Sequence, residues 1–187
     1  MADTSDFRNG LTFVHNNELW SIVEFQHVKP GKGGAFVRTK IKNLKTGKVI
    51  DPTFRSGEKI EVVRVERHPH QFLYSDDLGM HFMDNETFEQ TTVPTAAVEG
   101  RLYLKEGETA DILVNVNTGE TVKVEIPRHV ELTVVNTDPG LKGDTAQGGT
   151  KPATLDSGAT INVPLFVNEG DILRVDSGTG DYITRVR

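Results

Sequence analysis

The residues best suited to act on a partner are the run Lys29-Pro30-Gly31-Lys32-Gly33-Gly34. The proline fixes one backbone angle and the three glycines free the rest. Lys32 is the only long side chain among the glycines. The run therefore reads as a thin finger with one cation at its tip, bare enough for backbone N–H groups to come close to phosphates. The same residues suit an ordinary mobile hairpin tip with a solubilising lysine. They do not make a nucleotide-cradling P-loop, because G-x-x-x-x-G-K-[ST] is absent and no helix pattern follows. A second segment, Thr137 to Leu155, is long and polar, with four glycines and two lysines. It suits contact with an RNA backbone or a protein surface, or else disorder.

Other chemistries find little support. Of six histidines, only His68-Pro69-His70 form a close pair, and the proline between them favours an extended backbone. No third metal ligand can be placed from sequence, and the absence of cysteine removes thiol catalysis, disulfides and cysteine metal sites. Asp76-Asp77 and Asp84-Asn85-Glu86 read as acidic turns without the spacing of a calcium loop. There is no G-x-S-x-G elbow. A pair of carboxylates for acid–base work stays open, since it needs only proximity in space.

The elements that must position these residues are strands. Trp20–Phe25, Ala35–Ile41, Ile60–Val65 and Val130–Val135 are rich in β-branched and aromatic residues with apolar positions near a period of two. Turn residues separate them at Asn16-Asn17, Lys45-Thr46-Gly47, Ser56-Gly57, Asn117-Thr118-Gly119 and Ser177 to Asp181. Such spacing predicts small barrels or sandwiches. Helix is expected only as a short piece within Pro94–Leu104, weakened by Gly100, and as one turn at Asp84–Thr87 capped by Asp84. Three modules fit the pattern, covering residues 1–65, 66–127 and 128–187. Modules of about 60 residues are near the lower limit for folding alone.

The formal net charge of -6 is unevenly spread. Residues 1–64 hold 11 Lys/Arg against 7 Asp/Glu, whereas residues 65–128 hold 5 against 12. Nucleic-acid binding is mostly phosphate neutralisation, so only the basic first third is suited to RNA. Two merely solvated faces would give the same counts. No apolar run approaches the roughly 18 residues of a membrane span, and the acidic start Met1–Asp6 is unlike a secretory signal. The absence of cysteine fits a reducing cytosol.

Several long motifs in order carry a resemblance. They are Asp6-Phe7-Arg8-Asn9-Gly10, Val28–Phe36, Phe82–Gln90, Asp138–Thr145, Gly149–Leu155, Val163–Val167 and Tyr182–Val186. Over essentially its full length the chain resembles the bacterial elongation factor P family. The resemblance implies an all-β protein of three small β-barrel domains, an SH3-like (KOW-type) barrel followed by two OB folds, in an elongated, L-shaped, tRNA-like arrangement. It implies a cytoplasmic, monomeric translation factor rather than an enzyme, with no cofactor, no metal and no membrane partner.

The family resemblance also implies the partners: both ribosomal subunits and peptidyl-tRNA, bound between the peptidyl and exit sites. There such factors stimulate the ribosome's own peptide-bond formation and relieve stalling at consecutive prolines. Lys32 would extend toward the acceptor end of the peptidyl-tRNA, on a finger shaped by Lys29, Pro30, Gly31, Gly33 and Gly34. Gly143, Asp144 and Thr145 match the part of the family that approaches the exit-site codon and the small subunit. Lysine-type members carry a β-lysyl extension, an aminopentanol-type extension or none, which makes a lysine-modifying enzyme acting on Lys32 a further partner. The intact Pro-Gly-Lys-Gly loop argues against the paralogue in which it is lost. The alternative from another class is a general OB-fold module for single-stranded RNA.

Overall fold

The computed structural model describes residues 2–139 and 149–186. Among them the regular elements are strands in three sheets, with only short 3-10 turns as helix.

The first sheet holds β1 (Ala2–Asp3), β2 (Thr12–His15), β3 (Glu18–Val28), β4 (Phe36–Asn43), β5 (Val49–Ile50), β6 (Thr53–Arg55) and β7 (Lys59–Val62). Its order is β1-β7-β2-β3-β4-β5, with β6 also paired to β4. Asn16 and Asn17, both at positive φ, make the tight turn between β2 and β3. Strand β4 alternates strictly: Val37, Thr39, Ile41 and Asn43 point inward, and Arg38, Lys40 and Lys42 outward. The core gathers Phe7, Phe13, Trp20, Ile22, Val37, Ile41 and Phe54. Phe7 meets Phe54 edge to face at 5.6 Å, a favoured aromatic geometry.

The second sheet holds β8 (Val65–Asp76), β9 (Gly79–Asp84), β10 (Gln90–Val93), β11 (Thr109–Asn115) and β12 (Thr121–Glu125), in the order β10-β9-β8-β11-β12. The third holds β13 (His129–Thr137), β14 (Thr150–Leu155), β15 (Thr160–Pro164), β16 (Ile172–Asp176) and β17 (Tyr182–Arg185), in the order β15-β14-β13-β16-β17. Its core is aliphatic, built on Val130, Leu132, Val134, Leu155, Val163, Leu173 and Val175.

By contacts the chain divides into two compact units: Met1–Arg67 with Leu113–Lys123, and His68–Ile112 with Val124–Arg187. The β11–β12 hairpin tip goes with the first unit, where Val116 N donates to Arg64 O at 2.9 Å.

Three sequence expectations change. The helix expected within Pro94–Leu104 is two single 3-10 turns, Thr95–Ala97 and Arg101–Tyr103. Gly100 separates them at φ 71, outside the helical region, so no α-helix can propagate. The turn at Asp84–Thr87 is likewise no helix; its carboxylate caps a tight turn instead. The long segment Thr137–Leu155, of which residues 140–148 lie outside the described residues, is also not loop at its ends. Its last six residues form β14, because Lys151, Ala153 and Leu155 alternate inward. The aliphatic stem of Lys151 serves as a core residue there, a role its charge conceals in the sequence.

Candidate functional site

The site is the tip of the β3–β4 hairpin. The ladder ends at the pair Val28 and Phe36, leaving residues 29–35 to cross between strands. Residues 29–34 are all exposed. Ala35 closes the base, its carbonyl accepting from Ser56 N at 3.0 Å. Below the tip, Phe25 and His27 meet edge to face at 5.6 Å, and the Arg38 guanidinium lies 5.6 Å over the Phe36 ring. The base is therefore held by side-chain and backbone contacts, and the tip is bare.

The glycines divide into two kinds. Gly33 stands at φ 107, where an L side chain is strained. Gly31 and Gly34 are not in that region, and nothing lies within 4 Å of a Cβ built on either. The fold itself would accept alanine at both. Small residues there leave room for something outside the chain. No hydrogen bond or ion pair ties the Lys32 side chain to another described residue. What the tip offers is the unpaired Lys32 ammonium, the exposed Lys29 cation near it and several exposed backbone N–H groups.

Outward from the finger runs the cation row of β4. Arg38, Lys40 and Lys42 alternate with buried neighbours, so successive cations stand about 6.7 Å apart along one face. Lys40 is 3.8 Å from Glu24, an exposed pair of small energetic worth. Lys29 and Lys32 add two further exposed cations in the tip itself.

The other nominated residues fall elsewhere. His68 and His70 lie in β8. His70 is buried; its Nδ1 is 2.9 Å from His68 O and its Nε2 is 3.7 Å from Asp84 Oδ2. Among the described residues no three His, Asp or Glu side chains are grouped to hold a metal. Asp76 does more than the acidic turn it reads as. It approaches His81 Nε2 at 2.9 Å, while Thr92 Oγ1 lies 3.0 Å from His81 Nδ1 and Tyr74 stacks on the ring at 4.4 Å. His81 holds the Asp76 carboxyl below its ordinary pKa, helped by the backbone N–H groups of Leu78 and Gly79. Only the hairpin register, Tyr74 opposite His81, brings these residues together. Gly143, Asp144 and Thr145 lie outside the described residues. No helix among the described residues is long and apolar enough to cross a membrane.

Fold and finger define an all-β chain of small barrel-type modules with a protruding basic hairpin. Sequence comparison places it further. Residues 3–60 match the profile of the elongation factor P KOW-like domain, residues 65–124 that of the elongation factor P OB domain, and residues 130–185 that of the elongation factor P C-terminal domain. Elongation factor P of Salinibacter ruber is 60% identical over 186 residues, covering 100% of this chain and 97% of the relative. That of Amoebophilus asiaticus is 55% identical, covering 100% and 98%. Elongation factor P 1 of Porphyromonas gingivalis is 50% identical over the whole of both. The chain belongs to the elongation factor P family, and its class is that of translation elongation factors. In fold it is similar to a solved structure titled eukaryotic translation initiation factor 5A from Methanococcus jannaschii. That likeness has a TM-score of 0.50 at 22% identity, over 66% of this chain and 92% of that one.

Proposed function

We propose that this chain is a cytoplasmic factor that binds the ribosome between the peptidyl and exit sites and speeds peptide-bond formation at consecutive prolines. Its three domains would be residues 1–65, 66–127 and 128–187. Lys32 meets the acceptor end of the peptidyl-tRNA, with Lys29, Pro30, Gly31, Gly33 and Gly34 shaping its approach. Arg38, Lys40 and Lys42 follow the tRNA backbone. Gly143, Asp144 and Thr145 approach the exit-site codon and the small subunit. A lysine-modifying enzyme lengthening Lys32 would extend the same reach.

One observation supports this reading above the rest: Lys32 has no partner in the described chain, and two of its flanking glycines are not needed by the fold. A lone cation on a bare finger suits holding a substrate. Fixing the donor in a reactive geometry lowers the entropy lost in the transition state. Proline, a constrained nucleophile, has most to gain from that.

The test is a reconstituted translation system with a polyproline reporter. Lys32→Ala should fold and bind ribosomes yet fail to rescue the reporter. Full rescue would overturn the mechanism. Tight binding of the isolated protein to unstructured RNA would instead favour a general single-strand binder.

A further inference from the structure

We propose that the turn Asp84–Glu89 is a docking site for a basic protein surface, with Phe88 as its apolar anchor. Phe88 stands at φ 61, in the left-handed region, and it is 68% exposed. A bulky residue there is a genuine outlier, whereas glycine or asparagine adopts that backbone readily.

The neighbours impose this geometry. Asp84 Oδ1 accepts from Glu86 N at 2.7 Å and Thr87 N at 3.0 Å. Asp84 N donates to Glu89 O at 2.9 Å, Phe88 N to Asp84 O at 3.0 Å, and Asn85 N to Pro69 O at 3.1 Å. The phenyl ring takes part in none of these bonds. The chain thus carries backbone strain and a mostly exposed aromatic ring at one residue. Strain of this kind persists where the surroundings over-determine it, and it gathers at working sites. Aromatic anchors dominate the energetics of protein interfaces.

Charge selects the partner. Glu86 and Glu89, two residues before and one after Phe88 in the chain, are exposed. The sequence stretch 65–128 that contains them has 12 Asp/Glu against 5 Lys/Arg. Such a surface repels a phosphate backbone and attracts a surface rich in lysine and arginine. The ring supplies burial and the carboxylates supply orientation. The partner is therefore sought among proteins of the assembly the factor binds, so the inference rests on the ribosome-binding reading above.

The experiment measures affinity for purified 70S ribosomes and maps the contact. Phe88→Gly relieves the strained backbone, so its thermal midpoint should equal or exceed the wild-type value. Its ribosome affinity should fall about tenfold or more. Glu86→Lys should weaken binding several-fold, most at low salt. Leu78→Ser, at a site 77% exposed at the other end of β9, should change affinity less than about twofold. A photoreactive phenylalanine analogue at position 88 should crosslink to a basic protein.

Wild-type affinity for Phe88→Gly, tighter binding by Glu86→Lys, or a crosslink to RNA would each overturn the proposal. If the wild-type protein itself failed to bind ribosomes, the ribosome reading would fall and this inference with it. If it bound and rescued the polyproline reporter while Phe88→Gly bound equally well, only the docking site would fall.

Discussion

Gly180 lies directly against the hydroxyl of Tyr103, so that a Cβ atom on Gly180 would overlap the phenol oxygen. Gly180 belongs to the turn after β16, where its N–H donates to Asp176 O at 2.7 Å. Tyr103 ends the 3-10 turn Arg101–Tyr103 and packs on the third sheet's core. Gly100 repeats the device at the start of that turn. A Cβ there would come within 2.8 Å of Ser177 O and 2.6 Å of Ile126 Cδ1. Two glycines thus let this 3-10 turn sit close against the third sheet.

Gly180→Ala should therefore suffer twice. Its φ of 77 strains any L side chain, and the methyl group would push on Tyr103. Strain of about 1–2 kcal/mol and overpacking of about 1–3 kcal/mol predict a loss of about 2–5 kcal/mol. Gly158→Ala has the strain alone, since φ is 86 and nothing lies within 4 Å. It should lose only about 1–2 kcal/mol. Urea midpoints compare the two. Tyr103→Phe in the Gly180→Ala background should recover part of the loss, and a double-mutant cycle isolates that share. Equal losses at the two glycines would remove the packing argument.

Acid should destabilise the protein through its turn carboxylates. The backbone N–H groups of Thr87 and then Glu86 hold the Asp84 carboxyl below its ordinary value, with help from His70 and His68. Asp176 is lowered by the Arg128 guanidinium and by Gly178 N, and Asp76 by His81. With folded pKa values depressed, the unfolded chain binds more protons in the acid range. The stabilisation is complete above the ordinary value of 3.8 and lost as pH falls through the folded pKa values. Thermal midpoints should be level above about pH 5 and drop below about pH 4. Asp84→Asn should flatten part of that drop. An unchanged acid slope in this variant would show that Asp84 is not among the groups responsible.

Much of this was legible in residue order, and what was not has a physical cause. The strand alternation of β4 and the turn pairs Asn16-Asn17 and Asn117-Thr118-Gly119 announce themselves locally, because period and positive φ are local properties. The glycine finger stood out for the same reason. The Asp76–His81 pair did not, since it depends on the β8–β9 register, which shifts between Phe72 and Tyr74. Strand β14 was hidden by Lys151, a charged residue at an inward position. Phe88 looked like one more apolar residue in a motif, because exposure and φ are invisible until the neighbouring hydrogen bonds are known.

Lys151 invites its own test. It is 5% exposed on the inward row of β14, and its ammonium donates to Asp138 O at 2.5 Å. The stem should stabilise more than the charge does. Lys151→Met keeps the stem and removes a buried charge, so it should lie within about 1.5 kcal/mol of wild type. Asp138 is exposed, so water can replace the lost donor. Lys151→Ala empties the inward position and should cost about 2–4 kcal/mol. Chemical denaturation measures both. A methionine variant as unstable as the alanine variant would mean that the ammonium, rather than its stem, holds this corner.

The finger predicts a separation of fold from activity. Gly31→Ala and Gly34→Ala enter open space without positive φ, so their thermal midpoints should match wild type. Gly33→Ala must hold an alanine at φ 107, at a cost of about 1–2 kcal/mol unless the loop rearranges. If the glycines serve the approach of a partner, all three variants should lose polyproline rescue, and the first two should do so with stability unchanged. Lys32→Arg keeps the charge but swaps a compact ammonium for a planar, branched head on a longer side chain. It should retain ribosome affinity and rescue the reporter less well than wild type. Lys32→Ala should show the larger loss. Rescue rates at saturating factor separate these effects from binding. Wild-type rescue by Gly31→Ala and Gly34→Ala together would mean that the bare backbone is not used, and that Lys32 reaches its partner with no close approach by the loop.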